Sequence, residues 1–255
     1  MKKLLAVWLI ALLPALSFAD EHGANLESID IDVSDKAALQ DGARTFVNYC
    51  MGCHSARFQR YERVADDLGI SHELMLKQLV FTGAKIGDHM TIGMQPADAK
   101  NWFGAVPPDL TLVARVRGTD WLYGYLRSFY EDPARPWGVN NTVFPNVGMP
   151  NVLEGLQGRQ RRGCREAQSV EDGVQHNDTP LSHQACDQLV IVPNTGTLTE
   201  AQFNEKVKNL VTFLAYSANP DKLQRQRIGT YVLLYLAVLF ILAYLLKREF
   251  WKDVR

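Results

Sequence analysis

The sequence predicts an all-α protein with long loops, exported across a membrane and held there by a single C-terminal helix. Three observations carry that expectation. Apolar residues recur at helical spacing in two separate segments, Leu39, Ala43, Phe46 and Val47 in one, and Phe203, Val207, Leu210, Val211 and Leu214 in the other. Residues 228–246 hold no charged side chain. Residues 1–19 read as a signal peptide: Met1-Lys2-Lys3, an apolar run over 4–13, then Ser17-Phe18-Ala19 as a small-x-small cleavage site.

The N-terminal run is too short to span a bilayer and is broken by Pro14, so it is read as a signal peptide rather than an anchor. The exported body is then expected over 20–227. It opens on an acidic stretch, Asp20, Glu21, Glu27, Asp30, Asp32 and Asp35, read as a solvated tail. Asp35 is placed to cap the first helix. Gly42 lies on that helix's apolar stripe, where a glycine costs stability unless a close contact repays it. The last helix of the body starts on the capping box Thr199-x-x-Gln202 and stops at Asn219-Pro220. The expected packing crosses these two helices, with Gly42-x-x-x-Phe46 against Leu210-x-x-Phe213-Leu214. Residues 228–246 span roughly 28 Å as helix, enough for a transmembrane anchor. Residues 247–255 remain as a cytoplasmic tail. Flanking cations are similar on both sides, so the signal peptide decides orientation. The formal net charge is −1, which argues against a nucleic-acid partner.

The class of chemistry rests on Cys50-Met51-Gly52-Cys53-His54. Cysteines three apart share one face of a helical turn, so both sulfurs can reach the vinyl groups on one edge of a porphyrin. The histidine that follows can turn beneath the ring and present a nitrogen to iron. A thioredoxin-type Cys-x-x-Cys would follow a strand, whereas this one follows an amphipathic helix. A zinc site would need a second ligand pair at similar spacing. The expected cofactor is one haem c, attached covalently at Cys50 and Cys53 with His54 on the iron.

The second axial ligand is open on the residues alone. The candidates are Met75, Met90, Met94 and Met149, or His72, His89, His176 and His183. Met75 sits in a helical apolar pattern and reads as core filler. Met149 follows Gly148 and precedes Pro150, which hold an extended loop with the thioether free. Met94, before Gln95-Pro96, is the second choice.

A set of further motifs resembles the cytochrome c1 family, across nearly the whole mature chain. They are Gly104-Ala-Val-Pro107-Pro108-Asp109-Leu110-Thr111, the Arg115-Val-Arg117-Gly118 stretch and Trp121-Leu-Tyr123-Gly-Tyr125-Leu126. The Asn140-Asn141…Phe144-Pro145…Gly148-Met149-Pro150 loop completes the set. The resemblance implies a cytochrome c-like haem domain, with Met149 as sixth ligand and Pro108 among the haem-binding residues. It also implies an arginine near a haem propionate, for which Arg115 and Arg117 both qualify. A guanidinium beside a propionate offsets the cost of burying that charge. The implied role is relay of single electrons from a Rieske iron–sulfur subunit to a soluble or membrane-tethered cytochrome c. The setting would be a quinol–cytochrome c reductase that also holds a cytochrome b subunit. The protein would be no enzyme by itself. It would lie in the bacterial inner membrane, single-pass in the lipid, with its haem domain on the periplasmic side.

Residues 154–197 depart from a compact cytochrome and read as a polar loop insertion. Cys164 and Cys186 within it are expected to form a disulfide, stabilising by roughly 3 kcal/mol. A zinc site from those cysteines with His176 and His183 matches no trusted spacing. Glu62, Asp66, Asp67 and Glu73 follow the haem motif closely and suggest an acidic rim for a basic partner. Two other functions stand beside the electron relay: a free-standing membrane-anchored shuttle, which the same residues would serve, and a haem peroxidase with an open sixth site, which would lack a strong methionine ligand and need a distal acid–base residue.

Overall fold

The computed structural model describes residues 26–163 and 188–252. The expected signal peptide, Cys164, Cys186, His176 and His183 lie outside them. Helices form the body. Helix α1, Lys36–Thr45, starts where the Asp35 carboxylate accepts from the amides of Ala37 and Ala38, at 2.9 and 3.1 Å. It runs on as a π-helical turn, Phe46–Cys50. Then come α2 (Tyr61–Leu68), α3 (His72–Gln78), α4 (Pro96–Phe103), α5 (Val113–Arg117), α6 (Thr119–Arg127) and α7 (Glu154–Gln157). Helix α8, Glu200–Ala218, opens on the expected capping box, with Thr199 and Gln202 bonded reciprocally.

The core is the crossing of α1 and α8. A Cβ on Gly42 would lie 2.7 Å from Phe213 Cβ and would overlap the Asn209 carbonyl. Only hydrogen lets the two backbones approach this closely. One turn on, the Phe46 and Phe213 rings lie 5.6 Å apart. Phe46, Val207, Leu210, Val211 and Phe213 are wholly buried, and each such side chain contributes about 2 kcal/mol. The expected pairing of Gly42-x-x-x-Phe46 with the Leu210–Leu214 face is the one observed. Its rim is closed by Asp41, which accepts from Lys206 Nζ at 2.6 Å and Asn209 Nδ2 at 3.1 Å.

Among the described residues three short antiparallel ladders tie the loops: β1 (Ala56–Arg60) with β2 (His89–Met90), β3 (Phe129–Glu131) with β4 (Val139–Asn141), and β5 (Gln160–Gly163) with β6 (Gln188–Ile191). Each is only two strands wide, so the fold remains helical in class. The third ladder gives the expected insertion an ordered base. Gly196 presses onto the Gln157 backbone there, where a Cβ would have no room.

Helix α9, Lys222–Phe250, has no buried residue and is the one helix among the described residues long and apolar enough to cross a membrane. Its start is tied back to the body. Arg63 pairs with Asp221 at 2.8 Å and also with Asp67, and Tyr216 donates to Asp67 at 2.7 Å.

Candidate functional site

The π-helical turn delivers the Cys-x-x-Cys-His segment. Its closing bond runs from the Met51 amide to the Phe46 carbonyl, at 2.9 Å. One extra residue in a turn re-phases the side chains beyond it. Phe46 can therefore stay in the helix crossing while Cys50, also buried, starts the next turn. The amides of Cys53 and His54 both bond the Cys50 carbonyl, at 3.1 and 2.9 Å, which curls the motif into one compact turn. Burial, with a smaller push from Cys53, raises the Cys50 thiol to about 12.

His54 Nδ1 lies 2.7 Å from the Pro108 carbonyl oxygen. A carbonyl only accepts, so Nδ1 carries the proton and Nε2 keeps its lone pair. Burial pushes the imidazole below its ordinary pKa, against the Pro108 and Asp109 contacts that favour the cation. The ring is thus oriented, neutral and metal-competent at Nε2.

The segment after Pro108 is strapped to the chain that follows the motif. The Leu110 amide bonds the Ser55 carbonyl at 2.8 Å. Asp109 accepts from the Arg57 amide at 2.8 Å and from the Thr111 hydroxyl at 2.6 Å. Burial opposes its charge, yet the Thr111 and Arg57 hydrogen bonds hold the carboxyl below the usual range. The Pro-Pro-Asp-Leu block is therefore the clamp that brings its own carbonyl to His54.

The Met149 loop has a separate scaffold. Asn141, 1% exposed, accepts from the amides of Val143 and Phe144 at 2.9 and 3.0 Å and donates to the Tyr125 carbonyl at 2.8 Å. Asn140 accepts from the Asn146 amide at 2.8 Å and donates to Asp132 at 3.0 Å. Asn146 takes a left-handed backbone, φ 63°, and is gripped by Arg135. Met149 is half-buried, and the Tyr125 hydroxyl donates to its sulfur at 3.5 Å. Burial pushes the Tyr125 phenol up to about 12.

Between the two scaffolds, Arg117 lies over Trp121 at 4.9 Å and over Phe144 at 5.8 Å. Trp121 stacks on Tyr125 at 4.9 Å, one helical turn along α6. The Arg115 side chain is exposed and has no hydrogen-bond or ion-pair partner among the described residues. Of the two expected propionate arginines, Arg117 is committed to an aromatic face and Arg115 is free. Of the other methionines, Met75 and Met90 are core residues, each 1% exposed. Met94 lines a hollow of about 300 Å³ with Cys53, Val106, Pro107 and Asp109. No hydrogen bond joins His54 to Met149.

The donor set fits a haem: two adjacent cysteines, an imidazole with Nε2 free and a half-buried thioether on a braced loop. The large apolar side chains exposed along the same stretch, Val106, Leu112, Val116 and Phe144, suit a flat apolar group. The suggested acidic rim is reduced. Asp67 is taken by Arg63 and Tyr216, and Asp66 by His72 at 2.8 Å, which leaves Glu62 and Glu73.

A model of the Cytochrome C1 family matches residues 77–254, a span that includes the Pro108 clamp, the arginines and the Met149 loop. Cytochrome c1 of Allochromatium vinosum is 47% identical over 254 residues, covering 100% of both chains. The chain belongs to the cytochrome c1 family.

A protein of Nitrosomonas europaea named ammonia monooxygenase gamma subunit is 38% identical over 245 residues, 96% of this chain and 95% of its own. A chain of a solved hyperthermophilic respiratory Complex III has a TM-score of 0.44 at 16% identity, over 100% of this chain and 98% of that one. Cytochrome c1 is an electron-transfer subunit rather than an enzyme by itself, and membership implies a haem cofactor. The Cys50–His54 motif lies before the span that the family model matches, so it stands on its own residues and geometry. Sequence reasoning missed the Asp109 clamp, the Asn140–Asn141 brace and the Tyr125–Met149 bond. Asp109-x-Thr111 is a turn signature and Trp121 and Tyr125 are one turn apart, so part of the signal was present.

Proposed function

We propose that this chain carries one haem c, bound through Cys50 and Cys53. It relays single electrons from a Rieske iron–sulfur protein to a cytochrome c within a quinol–cytochrome c reductase. The observation that carries the reading is the Pro108-held tautomer of His54, which keeps Nε2 free beside two cysteines. The haem supplies a ferric/ferrous couple whose potential depends on its axial ligands.

The rest is the work of this chain's residues. His54, oriented by the Pro108 carbonyl, would hold the haem iron through Nε2, and Met149 would hold it through its sulfur. With both positions filled by protein there is no room for a substrate, which disfavours a peroxidase. Arg115, lacking any other partner, is the better of the two arginines to meet a propionate, while Arg117 closes the aromatic wall. The apolar stretch around Val106 and Val116 excludes water from the porphyrin face. Helix α9 anchors the body in the bacterial inner membrane, and the signal-like N-terminus puts the haem domain on the periplasmic side. A cytochrome b subunit is the expected neighbour of that helix.

The test is purification in mild detergent, with haem spectra and identification of co-purifying subunits. Recovery with b-type haem and an iron–sulfur subunit supports the reading. Recovery alone favours a free-standing shuttle, and recovery with ammonia monooxygenase subunits favours the role in the Nitrosomonas relative's name. For the ligand, Met149→Leu is expected to remove the methionine-to-iron charge-transfer band and lower the potential. Loss of both in Met94→Leu instead would move the ligand to Met94.

A further inference from the structure

We propose that Tyr125 is a ligand-positioning residue, whose hydroxyl, by donating to the Met149 sulfur, sets how that thioether meets the iron and so helps set the reduction potential. This rests on the reading of Met149 as an axial ligand.

The geometry of the phenol supports the assignment. Its ring is held on several sides: Trp121 stacks within 9° of parallel at 4.9 Å, Phe129 meets it edge-on at 5.2 Å and Phe144 at 6.4 Å. Its backbone carbonyl is fixed by Asn141, the same side chain that holds the amides of Val143 and Phe144. Tyrosine and loop are therefore located by one buried asparagine. The hydroxyl has no hydrogen-bond partner other than Met149 Sδ among the described residues. A buried Tyr hydroxyl ordinarily seeks an oxygen acceptor, and here the scaffold directs it to a sulfur instead.

A thioether sulfur has two lone pairs. One can accept from Tyr125 while the other faces the metal, so the two roles do not compete. The hydrogen bond selects which lone pair is left for iron, and it draws electron density from sulfur. Ferric iron depends more on that density than ferrous iron, so the hydroxyl favours the reduced state. Removing it is expected to lower the potential. At the poise where wild type is half reduced, the ferrous-to-ferric ratio should fall about threefold, the scale of one weak hydrogen bond.

The experiment uses the full chain with its haem, in detergent. Tyr125→Phe keeps the ring and its aromatic contacts and removes only the oxygen. It is compared with wild type by redox titration, by the energy of the methionine-to-iron band and by the ligand methyl resonance of the reduced protein. A fall in potential together with a shifted band and methyl resonance supports the proposal. A merely structural tyrosine would lower thermal stability and leave all three in place, which would overturn it. If the Phe variant does not accumulate, 3-fluorotyrosine incorporated throughout wild type strengthens the phenol as a donor and should raise the potential; no change overturns the proposal. Met149→Leu separates the two levels. If it abolishes the band while Tyr125→Phe changes nothing, only the role of Tyr125 falls. If the band survives in Met149→Leu, the ligand assignment falls as well.

Discussion

Gly42→Ala tests the helix crossing on which the site is built. The added Cβ would lie 2.7 Å from Phe213 Cβ and on top of the Asn209 carbonyl, which is backbone and cannot swing aside. Restoring ordinary contact needs a separation of α1 from α8 by about 1 Å, at the most tightly packed part of the core. Overpacking of this kind costs about 1–3 kcal/mol, and backbone against backbone belongs at the upper end. Alanine's better helix propensity offsets about 1 kcal/mol. The expected net loss is about 2 kcal/mol, a fall of roughly 4–8 °C in Tm for a domain of this size. The assay is thermal unfolding followed by circular dichroism, with Gly155→Ala as the control. A Cβ at Gly155 meets nothing within 4 Å, and that variant should stay within about 0.5 kcal/mol of wild type. Equal stability of Gly42→Ala and wild type would refute the close-approach argument.

Asp41 should make the same crossing pH-dependent. Burial disfavours its charge, but Lys206, Asn209 and Arg44 outweigh that and hold the carboxyl below the usual range. A depressed folded pKa gives stability present above the unfolded value of about 3.9 and lost as pH falls through the folded one. Asp41→Asn should therefore be less stable at neutral pH and show a flatter acid limb; parallel curves would contradict this. Cys164 and Cys186 should be found linked by peptide mapping without reductant. Gly163 pairs with Gln188, so the described ladder ends one residue before Cys164 and two residues after Cys186 in the sequence. Two freely alkylated thiols would refute the link. Docking of a basic cytochrome c should involve Glu62 and Glu73 rather than Asp67. Charge reversal at Glu62 and Glu73 should slow electron transfer at low salt and leave the haem spectrum unchanged; a rate indifferent to ionic strength would count against a charged interface.

Much of the helical frame was legible because it rests on local rules. Asp35, Thr199 and Gln202 act within a few residues of themselves, and the Gly42–Phe46 stripe meets the apolar face of α8. The long apolar helix was legible from absence of charge alone. The site was legible as residue types rather than as connections. Nothing local announces that the Pro108 carbonyl, far along the chain, turns His54, because a backbone carbonyl carries no residue identity. The Asn140–Asn141 brace was likewise hidden: a buried asparagine and a turn asparagine read alike until the fold shows which amides surround it. The π-helical turn before Cys50 has no sequence signature, since it is forced by packing Phe46 and Cys50 at once. The acidic rim misled in part because proximity in sequence does not reveal that Asp67 is already held by Arg63 and Tyr216.

The most direct test of the whole account is whether haem is bonded to the chain through Cys50 and Cys53. Denatured protein is extracted with acidified organic solvent and the polypeptide weighed by mass spectrometry, in wild type and in variants with either cysteine replaced by Ser. One haem is expected to stay on the wild-type chain, and attachment is expected to need both cysteines, so that neither single variant retains it. A wild-type chain that gives up all its haem to the solvent would contradict it.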